Sequence, residues 1–122
     1  MSVVAVVPDL FFAAKLQATA AATGAELELV APAQALERCA AANPVRVLLD
    51  LHAAGALELA RALNADPLTA RIPLVGFYSH VETALRAEAL AAGVDEALPR
   101  SAFVTRLATL LRGAGESGTA SG

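Results

Sequence analysis

The sequence predicts one doubly wound α/β domain: a five-stranded parallel sheet with helices packed on both faces. Three observations carry that prediction. Five short apolar or β-branched runs alternate with five longer segments in which leucine and alanine recur at helical spacing. Proline, glycine or asparagine punctuates the joins. The chain has 122 residues, enough for one substantial core.

The run "VVAVV", residues 3 to 7, is too short for a helix and reads as a strand buried on both faces. Pro8 and Asp9 close it, and Asp9 is placed to cap the helix that follows. Phe12, Leu16 and Thr19 share one face of that helix, and Gly24 stands where it should stop. "AELELV" alternates, with Leu27 and Leu29 pointing one way, as in a half-exposed strand. Residues 33–42 predict an alanine-rich helix with Leu36 and Cys39 inward, ended by Asn43 and Pro44.

"VRVLLD" is the third strand, followed by a turn through Gly55 and a helix bearing Leu57, Leu59 and Leu63. "IPLVGFY" is the fourth strand, entered through Pro73, which a strand tolerates at its beginning. Ser79 and Glu82 have capping-box spacing for a helix over 80–92, stopped at Gly93. A short "EAL" strand leads through Pro99 to a last helix carrying Phe103, Leu107, Leu110 and Leu111 inward. Residues 1–112 therefore form the expected domain, and "GAGESGTASG", 113–122, is expected to be a disordered tail or linker.

Composition narrows the function classes. Roughly a quarter of the residues are alanine, so the 57% hydrophobic content overstates greasiness. No uncharged apolar stretch reaches the ~18 to 20 residues of a membrane span. The N-terminus has no basic region ahead of an apolar run, so a signal peptide is not expected. Cys39 is the only cysteine, which excludes an internal disulfide or a cysteine-based zinc site and fits a reducing cytoplasm. Net charge is −3 and Lys15 is the only lysine, leaving no electrostatic case for nucleic acid.

In an open parallel sheet, ligands gather beyond the carboxyl ends of the strands. Four positions map there: Asp9 after the first strand, Asp50 at the third, Tyr78 or Ser79 at the fourth, and Arg100 after the fifth. Two carboxylates at adjacent strand ends would hold a hard divalent cation. One of them would also serve as a nucleophile toward phosphorus, with cation and guanidinium stabilising the developing charge. Plainer roles compete. Asp9 serves as a helix cap, Ser79 pairs with Glu82 in a capping box, and Arg100 is simply exposed. Asp50 is harder to dismiss, because a cap need not follow a run as apolar as "VRVLL".

Over about residues 3 to 112 the chain resembles the receiver domain, the phosphoacceptor module of bacterial response regulators. "VRVLLD" is similar to that family's third strand, which ends in the phosphoacceptor aspartate, here Asp50. "DPLTARIPLVGFYSH" resembles the segment joining the third helix to the fourth strand, and "AGVDEALPRSAF" resembles the stretch that runs into a lysine-proline pair. The resemblance implies a flavodoxin-like sheet of order 2-1-3-4-5. It also implies a Mg2+ site, weak if present, built from Asp9, Asp50 and the His52 carbonyl. His52 takes the place that flanks the phosphoryl group.

Departures from the family are as informative. Pro8 and Asp9 replace the paired acids, Tyr78 replaces the strand-four hydroxyl with Ser79 one place late, and Arg100 and Ser101 replace lysine and proline. A planar guanidinium is not a compact ammonium. Ala97 replaces the aromatic that relays the switch, and the loop after Asp50 is short and lacks the family's methionine-proline pair. The expectation is an atypical receiver, not an enzyme, that acts as a protein-interaction module with degraded phosphoacceptor chemistry. Its partner would be a histidine kinase or downstream effector, met through the fourth helix, fifth strand and fifth helix. Arg86, Glu88, Thr105 and Arg106 are the surface candidates there, and the chain would be a monomer or weak homodimer.

The alternative is a phosphorylatable receiver using Asp50 with Mg2+. A remote alternative is a cobalamin-binding domain, since "DLHAAG" fits D-x-H-x-x-G, although its histidine follows the wrong strand. A small hydrolase lacks support: Cys39 falls mid-helix among apolar residues, and no histidine pairs with a serine at a recognisable spacing.

Overall fold

The three central strands are apolar on both sides, which requires a layer of helices above and below them. The protein, described here from a computed structural model, builds that arrangement in residues 2–79 and 83–112. Strands β1 (Ser2–Val6), β2 (Glu26–Leu29), β3 (Arg46–Asp50), β4 (Leu74–Tyr78) and β5 (Glu96–Pro99) alternate with helices α1 (Leu10–Thr23), α2 (Ala35–Ala42), α3 (Ala56–Ala65), α4 (Thr83–Ala91) and α5 (Arg100–Thr105). The sheet order is β2-β1-β3-β4-β5 and every pairing is parallel. The predicted fold class and strand order are both realised.

Alternation along each strand sorts the core into two halves. Val4, Val6, Val47, Leu49 and Leu74 face α2, α3 and α4, where they meet Cys39, Leu59, Leu63 and Ala89. Val3, Ala5, Leu48, Val75 and Phe77 face α1 and the C-terminal helical segments, meeting Phe12, Leu16, Phe103, Leu107 and Leu111. Leu36 and Leu57, expected inward, are only partly buried against the first half.

Helix ends follow the sequence signals. Asp9 caps α1 by accepting from the amides of Phe11 and Phe12, at 2.9 and 3.2 Å. Gly24 ends that helix at φ 73°, and Asn43 ends α2 at φ 48°. The helix expected over 33–42 instead begins as a 3-10 turn, Pro32–Gln34, with α2 proper starting at Ala35. Proline at the first position supplies no amide, and the Gln34 amide closes on the Ala31 carbonyl at 3.0 Å.

The last helix is not continuous. The Arg106 amide is shared between the Ala102 and Phe103 carbonyls, at 3.1 and 3.2 Å, and a second helical stretch occupies 107–112. Of the helix expected over 80–92, the described part is Thr83–Ala91. Glu82, half of the expected capping box, lies outside the described residues, as does 113–122. Among the described residues no helix is long and apolar enough to cross a membrane.

Gly93 is required twice over. Its φ is 104°, and a Cβ there would fall 1.2 Å from Asn64 Nδ2, which donates to the Ala92 carbonyl at 3.0 Å. Gly24 has a similar φ but open space around it. Gly93→Ala should therefore cost about 2 kcal/mol, the sum of left-handed strain and a lost hydrogen bond. Gly24→Ala should cost about 1 kcal/mol, from strain alone. Urea unfolding of the two variants measures the difference, and equal losses would contradict the Asn64 contact.

Candidate functional site

Parallel register decides which side chains reach the same rim. Val6 pairs with Leu49, Asp50 with Phe77, and Tyr78 with Pro99. Asp9 in the β1–α1 loop, Asp50 at the end of β3, Tyr78 at the end of β4 and Arg100 after β5 thus all stand at the carboxyl edge of the sheet. They are not equally engaged with one another.

Asp9 and Arg100 are brought together, with Arg100 Nη2 3.5 Å from Asp9 Oδ2. The guanidinium lies 4.2 Å over the Phe12 ring and 5.7 Å from the centroid of Phe77. Phe12, Phe77 and Phe103 are mutually packed, with centroids 4.6 to 5.9 Å apart. Arg100 therefore rests on an aromatic floor contributed by α1, β4 and α5, an attraction worth about 0.5–1 kcal/mol near a surface. Its Nε is buried with no hydrogen-bond partner among the described residues. The plain expectation of a freely exposed arginine is thus corrected: Arg100 is half-buried, stacked and paired.

Asp9 keeps its carboxyl below the ordinary value of 3.8. The Phe12 amide is the largest cause, partial burial opposes it, and the Phe11 amide and the Arg100 guanidinium add to it. Asp9 is both helix cap, the plainer of the two roles expected of it, and the ion-pair partner of Arg100, a role the sequence did not suggest.

Asp50 has a different environment. Its Oδ1 accepts from the His52 amide at 2.9 Å, and its backbone carbonyl accepts from Ala53 at 3.0 Å, a tight turn that begins the loop to α3. No ion pair involves Asp50 among the described residues. Leu51 fixes this loop to the sheet: its amide donates to the Phe77 carbonyl at 3.0 Å, and its side chain covers Gly76. A Cβ at position 76 would lie 2.7 Å from Leu51 Cδ2, so glycine in β4 is what lets the loop lie down.

The His52 ring is exposed, and its Nε2 accepts from the Ser79 amide at 3.1 Å. That contact spans the ends of β3 and β4. Ser79 is past the strand, as its one-residue offset implied. Tyr78 is buried in the α2–α4 half of the core, the half that also holds Ala97. On the expected partner face Arg86, Glu88 and Thr105 are exposed. Arg106 is not free there, because its guanidinium holds both Glu96 carboxylate oxygens at 3.0 and 3.2 Å.

The donor set fits a divalent cation poorly. Asp9 has one oxygen on two backbone amides and the other beside a guanidinium, while Asp50 has one oxygen on the His52 amide and no ion pair among the described residues. No cluster of three metal-ligating side chains exists among the described residues. Cys39 is buried in α2 with its thiol pushed up to about 11, chiefly by burial, and is a packing residue with little thiolate.

Sequence reasoning named Asp9, Asp50 and Arg100 but missed Phe12 as the support of Arg100 and the His52–Ser79 contact. The first gives no sequence signal, since Phe12 reads as an ordinary core position. The second was accessible from register, because both residues lie just past the ends of adjacent strands.

No protein-family model matches the chain, and no curated protein does. Solved structures do, and they are receiver domains. A response regulator from Hahella chejuensis superposes with a TM-score of 0.80 at 20% identity, covering 91% of this chain and 92% of that one. The receiver domain of a sensor histidine kinase from Pseudomonas aeruginosa PAO1, solved with magnesium in its active-site cleft, gives 0.74 at 19%, over 90% and 96%. A chemotaxis response regulator of Vibrio cholerae gives 0.74 at 17%, over 87% and 97%. The chain has the flavodoxin-like fold of response regulator receivers.

Because folding depresses the Asp9 pKa, its contribution to stability is present above the ordinary carboxylate range and is lost as pH falls through the folded value. An NMR titration should place Asp9 below 3.8. Arg100→Gln should move it only part of the way back, since the Phe12 amide remains. A full return would show that the ion pair, not the cap, holds the charge.

Proposed function

We propose that the chain is a receiver-like signalling domain of two-component or phosphorelay type, working as a protein-interaction module in which phosphoacceptor chemistry is degraded. One observation carries the proposal: the acid that a cation would need, Asp9, is spent on capping α1 and pairing with Arg100. Three others support it. A buried tyrosine occupies the hydroxyl position at the end of β4, Ala97 replaces the aromatic of the relay, and the Ser79 amide is taken by His52. In this proposal the chain binds a histidine kinase or an effector through α4, β5 and α5, with Arg86, Glu88 and Thr105 outward. A cytoplasmic location accompanies it.

A second function is favoured by Asp50 itself. The carboxylate sits half-exposed at the rim, hydrogen-bonded through Oδ1 alone among the described residues. In a phosphorylatable receiver Asp50 would be the acceptor, Asp9 and the His52 carbonyl would join it in holding Mg2+, and Arg100 would neutralise the added charge. A bound cation would supply charge neutralisation there, and Asp9 would be available to it only with Arg100 moved away.

Incubation with magnesium and acetyl phosphate, read by intact mass, separates the two. The interaction-module proposal expects no phosphoryl adduct on the wild type and no amide shifts with beryllofluoride. An adduct on the wild type that Asp50→Asn abolishes would establish the phosphorylatable receiver instead.

A further inference from the structure

α3 and α4 lie in the same half of the core, and two hydrogen bonds from side chain to backbone tie the segment of one to the segment of the other. At their trailing ends Asn64 Nδ2 donates to the Ala92 carbonyl at 3.0 Å, a contact that fits only because Gly93 has no Cβ. At their leading ends the Ser79 amide, four residues ahead of Thr83 where α4 begins, donates to His52 Nε2 at 3.1 Å. The trailing contact is built into close packing, whereas the leading one stands on an exposed ring.

The ring is held in place from behind. Three successive amides of its loop are spent on the end of the sheet: Leu51 on the Phe77 carbonyl at 3.0 Å, His52 on Asp50 Oδ1 at 2.9 Å and Ala53 on the Asp50 carbonyl at 3.0 Å. The Leu51 side chain lies over Gly76. With the backbone fixed in this way, only the side-chain torsions of His52 need ordering to meet Ser79, a small entropic cost. Asp50 Oδ1, the His52 amide, its ring and the Ser79 amide thus form an unbroken connection from the end of β3 to the chain that enters α4. We infer that His52 is a positioning residue that pins the leading end of α4 to the Asp50 turn.

α4 belongs to the partner face only under the proposed function, and the inference rests on that reading. Its distinctive feature is that Asp50 acts as a hydrogen-bond acceptor and not as a charge. An asparagine side chain keeps Oδ1 and can take the His52 amide, whereas alanine cannot. Phosphoryl transfer makes a different demand: it needs the carboxylate, and both substitutions abolish it. The pin and phosphoacceptor chemistry are therefore separable at one residue. The leading end of α4 then stays set with no change of charge at Asp50, as an interaction module requires.

Amide hydrogen exchange followed by NMR on the full chain tests this. His52→Ala should speed exchange of the Ser79 amide about fivefold and loosen the leading turn of α4 with it, while the urea midpoint stays put because the ring is exposed. His52→Gln, whose Oε1 can accept the same amide, should keep most of the protection. Asp50→Ala should reproduce the loosening and add little to it in the double variant with His52→Ala. Asp50→Asn should leave both Ser79 and α4 as in the wild type. Ser79 exchange indifferent to His52→Ala, a loosening that stops at Ser79 and spares α4, or an Asp50→Asn variant as loose as Asp50→Ala would each overturn the inference. These measurements need no phosphoryl donor, so they stand or fall apart from the acetyl phosphate experiment.

Discussion

The parallel pairing of β1, β3 and β4, each sealed on both faces, is the constraint on which the rest of the molecule depends. Every inward position of these strands is apolar, from Val3 to Val6, Val47 to Leu49 and Leu74 to Phe77, apart from Gly76. Charged groups have no place inside such a sandwich and are driven to its ends. At the carboxyl end the pairing of Val6 with Leu49, of Asp50 with Phe77 and of Tyr78 with Pro99 brings loops from four strands to one rim. The site is a by-product of burial: residues excluded from the core collect where the strands stop.

At that rim the two acids have been given different work. Asp9 is tied into secondary structure through two amides and into tertiary structure through Arg100, which in turn rests on the Phe12–Phe77–Phe103 cluster. A half-exposed pair of this kind contributes at most about 1 kcal/mol, so it is the stacking on the aromatic floor that fixes where the guanidinium lies. Asp50 is tied only to the turn it begins. The arrangement holds one acid in a cap and an ion pair and leaves the other at the rim with only its own turn for support.

Most of the fold was legible in the sequence because its signals are local. The β-branched run at 3–7, the stop at Gly24, the asparagine-proline end of α2 and the entry through Pro73 each correspond to an observed boundary. Where local signals were averaged, detail was lost. The 3-10 start at Pro32 and the break at Arg106 arise from which carbonyl a single amide reaches, and periodicity does not encode that choice. The rim was legible as a set of strand-end residues but not as a network. That Arg100 would choose Asp9 and Phe12, and that Arg106 would be occupied by Glu96, depends on side-chain reach in three dimensions. Gly76 read as an ordinary letter in an apolar strand until Leu51 was seen to lie across it.

The two outermost strands carry one more implication. β2 and β5 are four residues each, half-exposed, and β5 ends in a proline that has no amide to offer. Such margins give an incoming chain too little ladder to extend, which guards an alanine-rich protein against growing into fibrils. Crowding would then leave the sheet closed to further strands.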